Sequence, residues 1–519
     1  MASEDYCPCN SERNSTSRYG SSPDQRSNGD NHALKEHYTP VLIIGNGPSG
    51  ICLSYLLSGN WPHFTGEPHP NPILQLKLEG NEDQSILECD LEYLSEGLEG
   101  RSHNPVALLF DTLSRPGADL GEDEKSRLEW RHHQANAVDH IVLGTGNPGG
   151  SWWEMDDSVL TLSLGAWMEM PDMSFDEWAA EYRETHKDPM VMSNYKRATL
   201  SEVAHYYQDF VKTKKLEDNF VPYTKVLSIR RLKGRRVINN ESGEPEIPCQ
   251  RCCKLEGENL FEVKGEHIDP NCGCRQNFTV LSPNVVLATG MMGKPNRLNV
   301  PGDDFRYVRY DLKYLESSIQ EGDLSSQSYP VLVIGSGLSA ADAILMARNA
   351  GVPVVHVFRR SPWDSAITLS KLPKVVYPEY HRVLQMMRGE IEEEGYTPFP
   401  KHQVVDFSRD CMVTLSGNDS TQRMAVSMVT VFIGAKPDLS FLPGGGVSLG
   451  EESSDINCKN NPVSVDPITM ETEAEPGLYA MGPLVGDTFV RFASGGALAI
   501  ASHLSRKKCC QSPCCTSSS

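Results

Sequence analysis

Three glycines at one spacing carry the first chemistry in this chain. Pro40 to Ile51 reads PVLIIGNGPSGI, so the apolar run Val41 to Ile44 enters Gly45, Gly47 and Gly50 as GxGxxG. Pro48 suits the first turn of a helix, and Ile51, Leu53, Leu56 and Leu57 give that helix an apolar face. A strand, a glycine turn and a helix start in this order cradle a dinucleotide pyrophosphate. Gly45 turns tightly, Gly47 lets the backbone approach phosphate, and Gly50 lets helix pack on strand. The amides of Gly47, Ser49 and Gly50, around Pro48, are the expected phosphate ligands at the helix N-terminus. Such turns also occur without a ligand, so one copy leaves both readings open.

A second copy decides between them. Pro330 to Asp342 reads PVLVIGSGLSAAD, a short apolar strand followed by Gly335, Gly337 and Ala340, with Ser339 at the helix start. The helix Leu338 to Asn349 is rich in alanine and leucine, and Gly351 stands where it should stop. Val354 to Phe358 is the next apolar strand, and Arg359 and Arg360 follow it. An acid at that strand end would select NAD, whereas two arginines suit the 2′-phosphate of NADP. The alternative is a solvated basic pair. Two motifs imply two nucleotides, and the reading is FAD on the first and NADPH on the second.

The elements that position these turns bound the architecture. A chain of 519 residues accommodates two or three domains with sizeable cores. Its net charge of −21 argues against nonspecific binding to nucleic acid or anionic membrane. No run is apolar enough for a transmembrane segment and the first thirty residues hold no signal core, so a cytoplasmic protein is expected. Its fifteen cysteines then read as thiols.

The expected fold class is α/β, with two doubly wound Rossmann-like domains and the NADPH domain inserted in the FAD domain. Residues 1–37 read as a disordered tail, 38–327 as the first part of the FAD domain and 328–437 as the NADPH domain. Residues 438–508 return to the FAD domain, and 509–519 form a flexible cysteine-rich tail. There Cys509, Cys510, Cys514 and Cys515 follow Arg506 to Lys508, either as acylation sites or as an end with no role.

One irregularity stands out. The second strand of the first unit arrives only at His140 to Leu143, which implies an insertion of roughly eighty residues, near 60–138, far beyond a normal connection. The acid that should meet the FAD ribose is replaced by Gly144 or Thr145, and Glu67 follows no convincing strand. Further on, Leu200 to Val211 reads as an amphipathic helix and Phe220 to Leu232 as one strand. A second insertion, near 233–276, holds Cys249, Cys252, Cys253, Cys272 and Cys274. Their spacing is either a weak zinc pattern or a set of loop thiols, and no metal is the expectation. Val285 to Gly290 is a buried strand ending in ATG, so Gly290 stands where a backbone meets a ligand. Leu478 to Ala480 with the small-residue helix after it forms a closing pair that returns to a flavin.

The order GxGxxG, GGxW (Gly149, Gly150, Trp152), ATG and GSGLSAAD resembles the flavin-dependent monooxygenases of the dimethylaniline and ornithine-hydroxylase type. More closely, the chain resembles the oxidative stress-induced growth inhibitor family. The carrying stretches are HPNPILQLKL (from His69), LSEGLEGRSHNPVALLFDTL (from Leu94), LGTGNPGGSWW (from Leu143), LSLGAWMEMPD (from Leu162) and GPLVGDTFVRFASGGAL (from Gly482). The resemblance implies an FAD- and NADPH-dependent monooxygenase-like flavoprotein that restrains growth under oxidative stress. Its substrate would be a small molecule or a protein side chain, with O2, and regulatory protein partners are possible in that setting. It also implies that Gly149, Gly150, Trp152 and Asp487 lie on the flavin side. Relatives place a polar residue near the ring where Ser163 stands, and the other reading of Ser163 is a loop serine. The FxGxxxH signature would start at Phe305, but Tyr307 and Asp311 replace its glycine and histidine, and Pro483 stands where many flavoproteins have aspartate.

Two rival classes remain to be weighed. A disulfide reductase needs a redox cysteine pair beside a nucleotide unit, yet Ser151, Trp152 and Trp153 follow Gly150, and residues 331–410 hold no cysteine. A non-enzymatic regulatory or scaffold protein that keeps FAD as a structural element stays open.

Overall fold

The computed structural model describes residues 37–508 apart from 82, 123, 158, 187–196, 233–259 and 418–419. Val41–Ile44 is wholly buried and sits at the middle of a five-stranded parallel sheet. Across that sheet the order is Leu478–Ala480, Asn284–Leu287, Val41–Ile44, His140–Leu143 and Phe220–Val221. A strand covered on both faces must be apolar throughout, which is why VLII shows no alternation. The helices Pro48–Leu57 and Ala493–Lys508 pack on each other over this sheet.

A second five-stranded parallel sheet runs Val308–Arg309, Met428–Val431, Val331–Ile334, Val354–Phe358 and Tyr396–Pro400. Helix Leu338–Asn349 covers it, and Gly351, with φ +77°, turns the chain after the helix. His356 is buried in Val354–Phe358, where the ring bridges the Gly335 carbonyl (2.6 Å) and the Tyr396 hydroxyl (2.8 Å). The two sheets each carry one glycine motif at the end of a central strand, which is the position that opposed crossovers leave open.

The stretch between residues 58 and 139 has its own architecture. Asn60–Phe64 pairs antiparallel with Leu128–His132, and the helices Pro72–Leu78, Leu91–Ser95 and Pro105–Ser114 lie between them. Asn71, Asp90 and Asn104 each cap one helix through a side-chain oxygen. Leu74, Leu91, Val106 and Leu109 join Leu498, Ile500 and Leu504 of the closing helix in one buried cluster. A buried ion pair fastens this contact: Arg491 Nε donates to Asp111 Oδ1 at 2.7 Å, and Arg491 also reaches Asp119 at 2.9 Å.

One expectation needs correction. Phe220 to Leu232 is two strands: Phe220–Val221 ends the parallel sheet, and Thr224–Leu232 belongs to an antiparallel one. Pro222 and Tyr223, the latter at φ +54°, break the run and redirect it. In the described part of the second insertion, Leu260–Ile268 and Arg275–Ser282 form an antiparallel hairpin, and Leu260–Ile268 is an inner strand paired also with Thr224–Leu232. Cys249, Cys252 and Cys253 lie outside the described residues.

Two stability measurements follow. Arg491→Ala leaves the buried Asp111 with only the more distant Arg115 (3.8 Å) and should lower unfolding free energy by ~3 kcal/mol in denaturant titrations. Arg491→Met with Asp111→Leu should recover most of that loss. Burial lowers the His356 ring to about 4. Below about 6.5 the unfolded ring takes a proton that the folded ring refuses, so the fold loses stability until the pH reaches about 4. The stability advantage of wild type over His356→Gln should therefore shrink by on the order of 3 kcal/mol between pH 7 and pH 4. A difference independent of pH would contradict a neutral buried ring.

Candidate functional site

The first glycine motif lies against a cavity of about 660 Å³. Gly45 has φ +115°, and a Cβ there would stand 2.2 Å from the Ala288 carbonyl oxygen. A Cβ on Gly50 would meet the Gly45 oxygen at 2.0 Å. Those contacts pull the strand ends Ile44 and Ala288 and the helix start together. At Gly47 a Cβ would find nothing nearer than 4.0 Å, so its backbone faces open space. Gly47 is also the N-cap of Pro48–Leu57 and supplies no side-chain cap, which leaves the first amides available at the positive end of the helix.

The GGSW loop sits directly on this turn. Gly149 N donates to Asn46 O at 2.8 Å, and a Cβ on Gly150 would lie 3.1 Å from Gly47 Cα. Trp152 lines the cavity with its ring edge-on to Tyr207 at 6.0 Å. From further along the chain Gly290, Pro483, Asp487 and Ala493 reach the same space, so the closing helix begins at the cavity. Of the residues singled out in the sequence, Gly45, Gly47, Pro48, Ser49, Gly150, Trp152, Gly290 and Asp487 line it together. Gly50 and Gly149 stand behind them as the packing positions.

Asp487 differs in character from the rest. It is 8% exposed, and Ser102 Oγ donates to its Oδ1 at 2.5 Å. Burial raises its carboxyl to about 6, against the lowering effect of the Ser102 bond. Ser102 belongs to the 60–138 insertion, so that segment touches the cavity wall directly.

The missing ribose acid has a steric explanation. A Cβ on Gly144 would overlap the Asn46 side chain at 2.0 Å, and Asn46 Nδ2 donates to Gly146 O at 2.7 Å. Asn46 thus fills the space that a side chain at Gly144 would need. Glu67 is exposed and follows the Asn60–Phe64 hairpin strand outside the parallel sheet. The charged residues that do line the cavity are Glu154, Lys225, Asp438 and Asp487.

Sequence reasoning missed Asn46, Lys225, Thr289 and Ser102. Asn46 was visible as the middle residue of GNG, and Thr289 as the middle of ATG. Lys225 and Ser102 gave no signal, because only folding brings them to the wall. Thr289 Oγ1 is buried with no hydrogen-bond partner beside this cavity. A hydroxyl in that state fits a polar ligand group.

Ser163 stands apart, on Leu160–Leu164, where its carbonyl accepts from Thr161 Oγ1 at 2.6 Å. It is not among the residues lining the cavity.

The second motif repeats the backbone design without lining this cavity. Gly335 has φ +134° and stands 2.2 Å, at its missing Cβ, from Phe432 O, while Ala340 is fully buried. Gly337 caps Leu338–Asn349 with no side chain, and a Cβ on it would meet nothing within 4 Å, so the amide of Ser339 is accessible in the same manner. Arg359 is exposed, whereas Arg360 Nη1 pairs with Asp364 Oδ2 at 3.0 Å. Burial raises the Asp342 carboxyl, bonded to Tyr380, to about 7. Arg197 ties the two regions together through Glu379 (2.7 Å) and the Tyr377 ring (4.7 Å).

Comparison with known proteins agrees with this geometry. The pyridine nucleotide-disulphide oxidoreductase family matches residues 193–499. Bacillithiol disulfide reductase Bdr from Bacillus cereus superimposes with a TM-score of 0.54 at 15% identity, over 91% of this chain and 99% of that one. That likeness shows an α/β dinucleotide-binding fold. Oxidative stress-induced growth inhibitor 1 from Homo sapiens is 44% identical over 477 residues, covering 90% of this chain and 95% of the relative. Oxidative stress-induced growth inhibitor 2 from Homo sapiens is 42% identical over 482 residues, covering 90% and 94%. With an oxidoreductase fold and relatives aligned over nearly their whole length, the chain belongs to the oxidative stress-induced growth inhibitor family.

Proposed function

We propose that this chain is an FAD- and NADPH-dependent, monooxygenase-like oxidoreductase that acts in growth control under oxidative stress. The observation that carries the reading is the uncapped helix start at Gly47, opening on a cavity of about 660 Å³ beside the unpartnered Thr289 hydroxyl. A cavity of this size falls in the range of cofactor sites. The residues present fit FAD: the amides of Gly47, Ser49 and Gly50 hold the pyrophosphate, and Gly150, Trp152 and Asp487 lie on the flavin side. Bound there, FAD supplies two-electron chemistry between reduced nicotinamide and oxygen.

The chain's own residues do the rest. Trp152, Met155 and Phe489 give the wall an apolar lining. Asp487, near pKa 6, is able to hold or release a proton close to neutral pH. The helix start at Gly337 and Ser339 is the proposed NADPH pyrophosphate site, with Gly335 and Ala340 packing behind it. Arg359 and Arg360 meet the 2′-phosphate, Arg360 after exchanging Asp364 for the ligand. In this arrangement residues 328–437, whose sheet also takes in Val308–Arg309, form an NADPH domain inserted between the two parts of an FAD domain. The substrate is a small molecule or a protein side chain, used with O2.

Thiol–disulfide chemistry has less support, since no cysteine among the described residues lines the cavity. A second reading keeps FAD as a structural element of a regulatory protein that binds other proteins. The pairing of Arg360 with Asp364 favours it, because that arginine is already engaged. Among the described residues no helix is long and apolar enough to cross a membrane.

Purified protein should be yellow, and NADPH added without oxygen should bleach the flavin absorbance. Gly47→Glu, which sets a carboxylate against the pyrophosphate site, should be colourless while keeping its far-UV circular dichroism. Bound flavin that NADPH never bleaches would favour the structural reading. A charge-assisted bond to the 2′-phosphate contributes about 1.5–3 kcal/mol, so its loss costs about tenfold or more in affinity. Arg359→Ala with Arg360→Ala should weaken NADPH by at least that factor and leave NADH unchanged in equilibrium titrations. Equal losses for both nucleotides would make the pair a fold support.

A further inference from the structure

The hairpin between Leu260–Ile268 and Arg275–Ser282 turns through Asp269 to Cys274 and holds two cysteines one residue apart. Asp269 builds the turn. Its Oδ1 accepts from Asn271 N at 2.8 Å and Cys272 N at 3.3 Å, and its backbone exchanges bonds with Gly273 N and Cys274 O. Gly273 has φ +68°, and a Cβ there would meet nothing within 4 Å. The chain thus reverses at glycine and sets the cysteines on either side of it.

Cys272 Sγ accepts from Cys274 N at 3.4 Å, which folds the Cys272 side chain back over the backbone of the second cysteine. Cys272 is exposed and Cys274 half-buried, and neither is in a disulfide. A hydrogen bond with the Cys272 side chain holds the Cys274 thiol above its ordinary range. The two side chains thus lie within hydrogen-bonding reach of each other across Gly273, and a disulfide requires their sulphurs to close to about 2.05 Å.

We propose that Cys272 and Cys274 form a reversible dithiol–disulfide couple, oxidised by low-molecular-weight disulfides such as glutathione disulfide. The exposed Cys272, as thiolate, attacks one sulphur of the external disulfide and releases one glutathione thiolate. Cys274, as thiolate, then attacks Cys272 in the mixed disulfide, and the second glutathione thiolate leaves. One S–S bond forms in the protein and one breaks in the reagent. Two protein sulphurs are oxidised, two glutathione sulphurs are reduced, and the two thiol protons pass to the released glutathione. The step needs neither flavin nor nicotinamide and stands apart from the function proposed above.

The turn lies close to the cavity through the strand ladder. Glu266 pairs with Lys225 and His267 with Thr224, and Lys225 and Thr224 line the cavity. Ile268 N also donates to Tyr223 O at 2.8 Å. A covalent closure at residues 272–274 is thus set at the end of the ladder whose neighbouring strand forms part of the wall.

Full-length protein equilibrated in glutathione buffers of rising disulfide content, alkylated and digested with trypsin, tests the couple. Residues 265–275 form one tryptic peptide, GEHIDPNCGCR, with these two cysteines alone. It should lose both alkylation sites together, become lighter by two hydrogens, and regain both thiols with dithiothreitol. Cys274→Ser should instead stop as a glutathione adduct on Cys272. Both thiols remaining alkylatable in excess glutathione disulfide would overturn the proposal. So would cross-linking of either cysteine to another peptide, or a stoichiometric zinc ion that disappears in Cys272→Ser.

Discussion

The site depends on backbone segments that approach more closely than any side chain allows. At Gly45 the strand end comes within contact of Ala288, at Gly50 the helix start closes on Gly45, and at Gly150 the tryptophan loop rests on Gly47. Each contact lies at a position where a Cβ would overlap or crowd the neighbouring segment. The result is one junction that joins the ends of Val41–Ile44 and Asn284–Leu287, the start of Pro48–Leu57 and the GGSW loop. Alanine at Gly45 would also have to adopt φ +115°, which L side chains rarely do. The same junction leaves Gly47 facing open space, so tight packing on one side creates an open helix end on the other.

Around that junction the 60–138 segment serves as a wall. Its leucines share a core with the closing helix, Asp111 grips Arg491, and Ser102 holds Asp487. The wall from Asp487 to Ala493 is therefore fixed from outside the parallel sheet. A carboxyl with its pKa near 6 persists there because burial disfavours its charge and one serine bond only partly offsets that cost.

The second sheet repeats the rule with different supports. Gly335 closes on Phe432, and His356 holds the Gly335 carbonyl from the neighbouring strand. A neutral ring suits this bridge, since it donates through one nitrogen and accepts the Tyr396 hydroxyl through the other. Arg197 links this region to the first through a carboxylate and an aromatic face, although the second motif does not line the cavity at the first.

Both glycine motifs, the strands entering them and the helices leaving them were legible in the sequence. GxGxxG spacing and unbroken apolar runs are local signals, imposed by sterics between adjacent residues. The late arrival of His140–Leu143 was legible too, because a parallel strand needs its own apolar run. Tertiary structure alone decided that Asn46 fills the space beside Gly144, that Lys225 reaches the cavity and that Ser102 holds Asp487 in its wall. It alone split the 220–232 run between two sheets, and it placed Ser163 on a hairpin strand away from the cavity lining. Ser102 and Asp487 are 385 positions apart, and nothing in either neighbourhood encodes their 2.5 Å bond. Sequence spacing fixes what happens within a turn or a strand, whereas side chains distant along the chain meet only once the cores have packed.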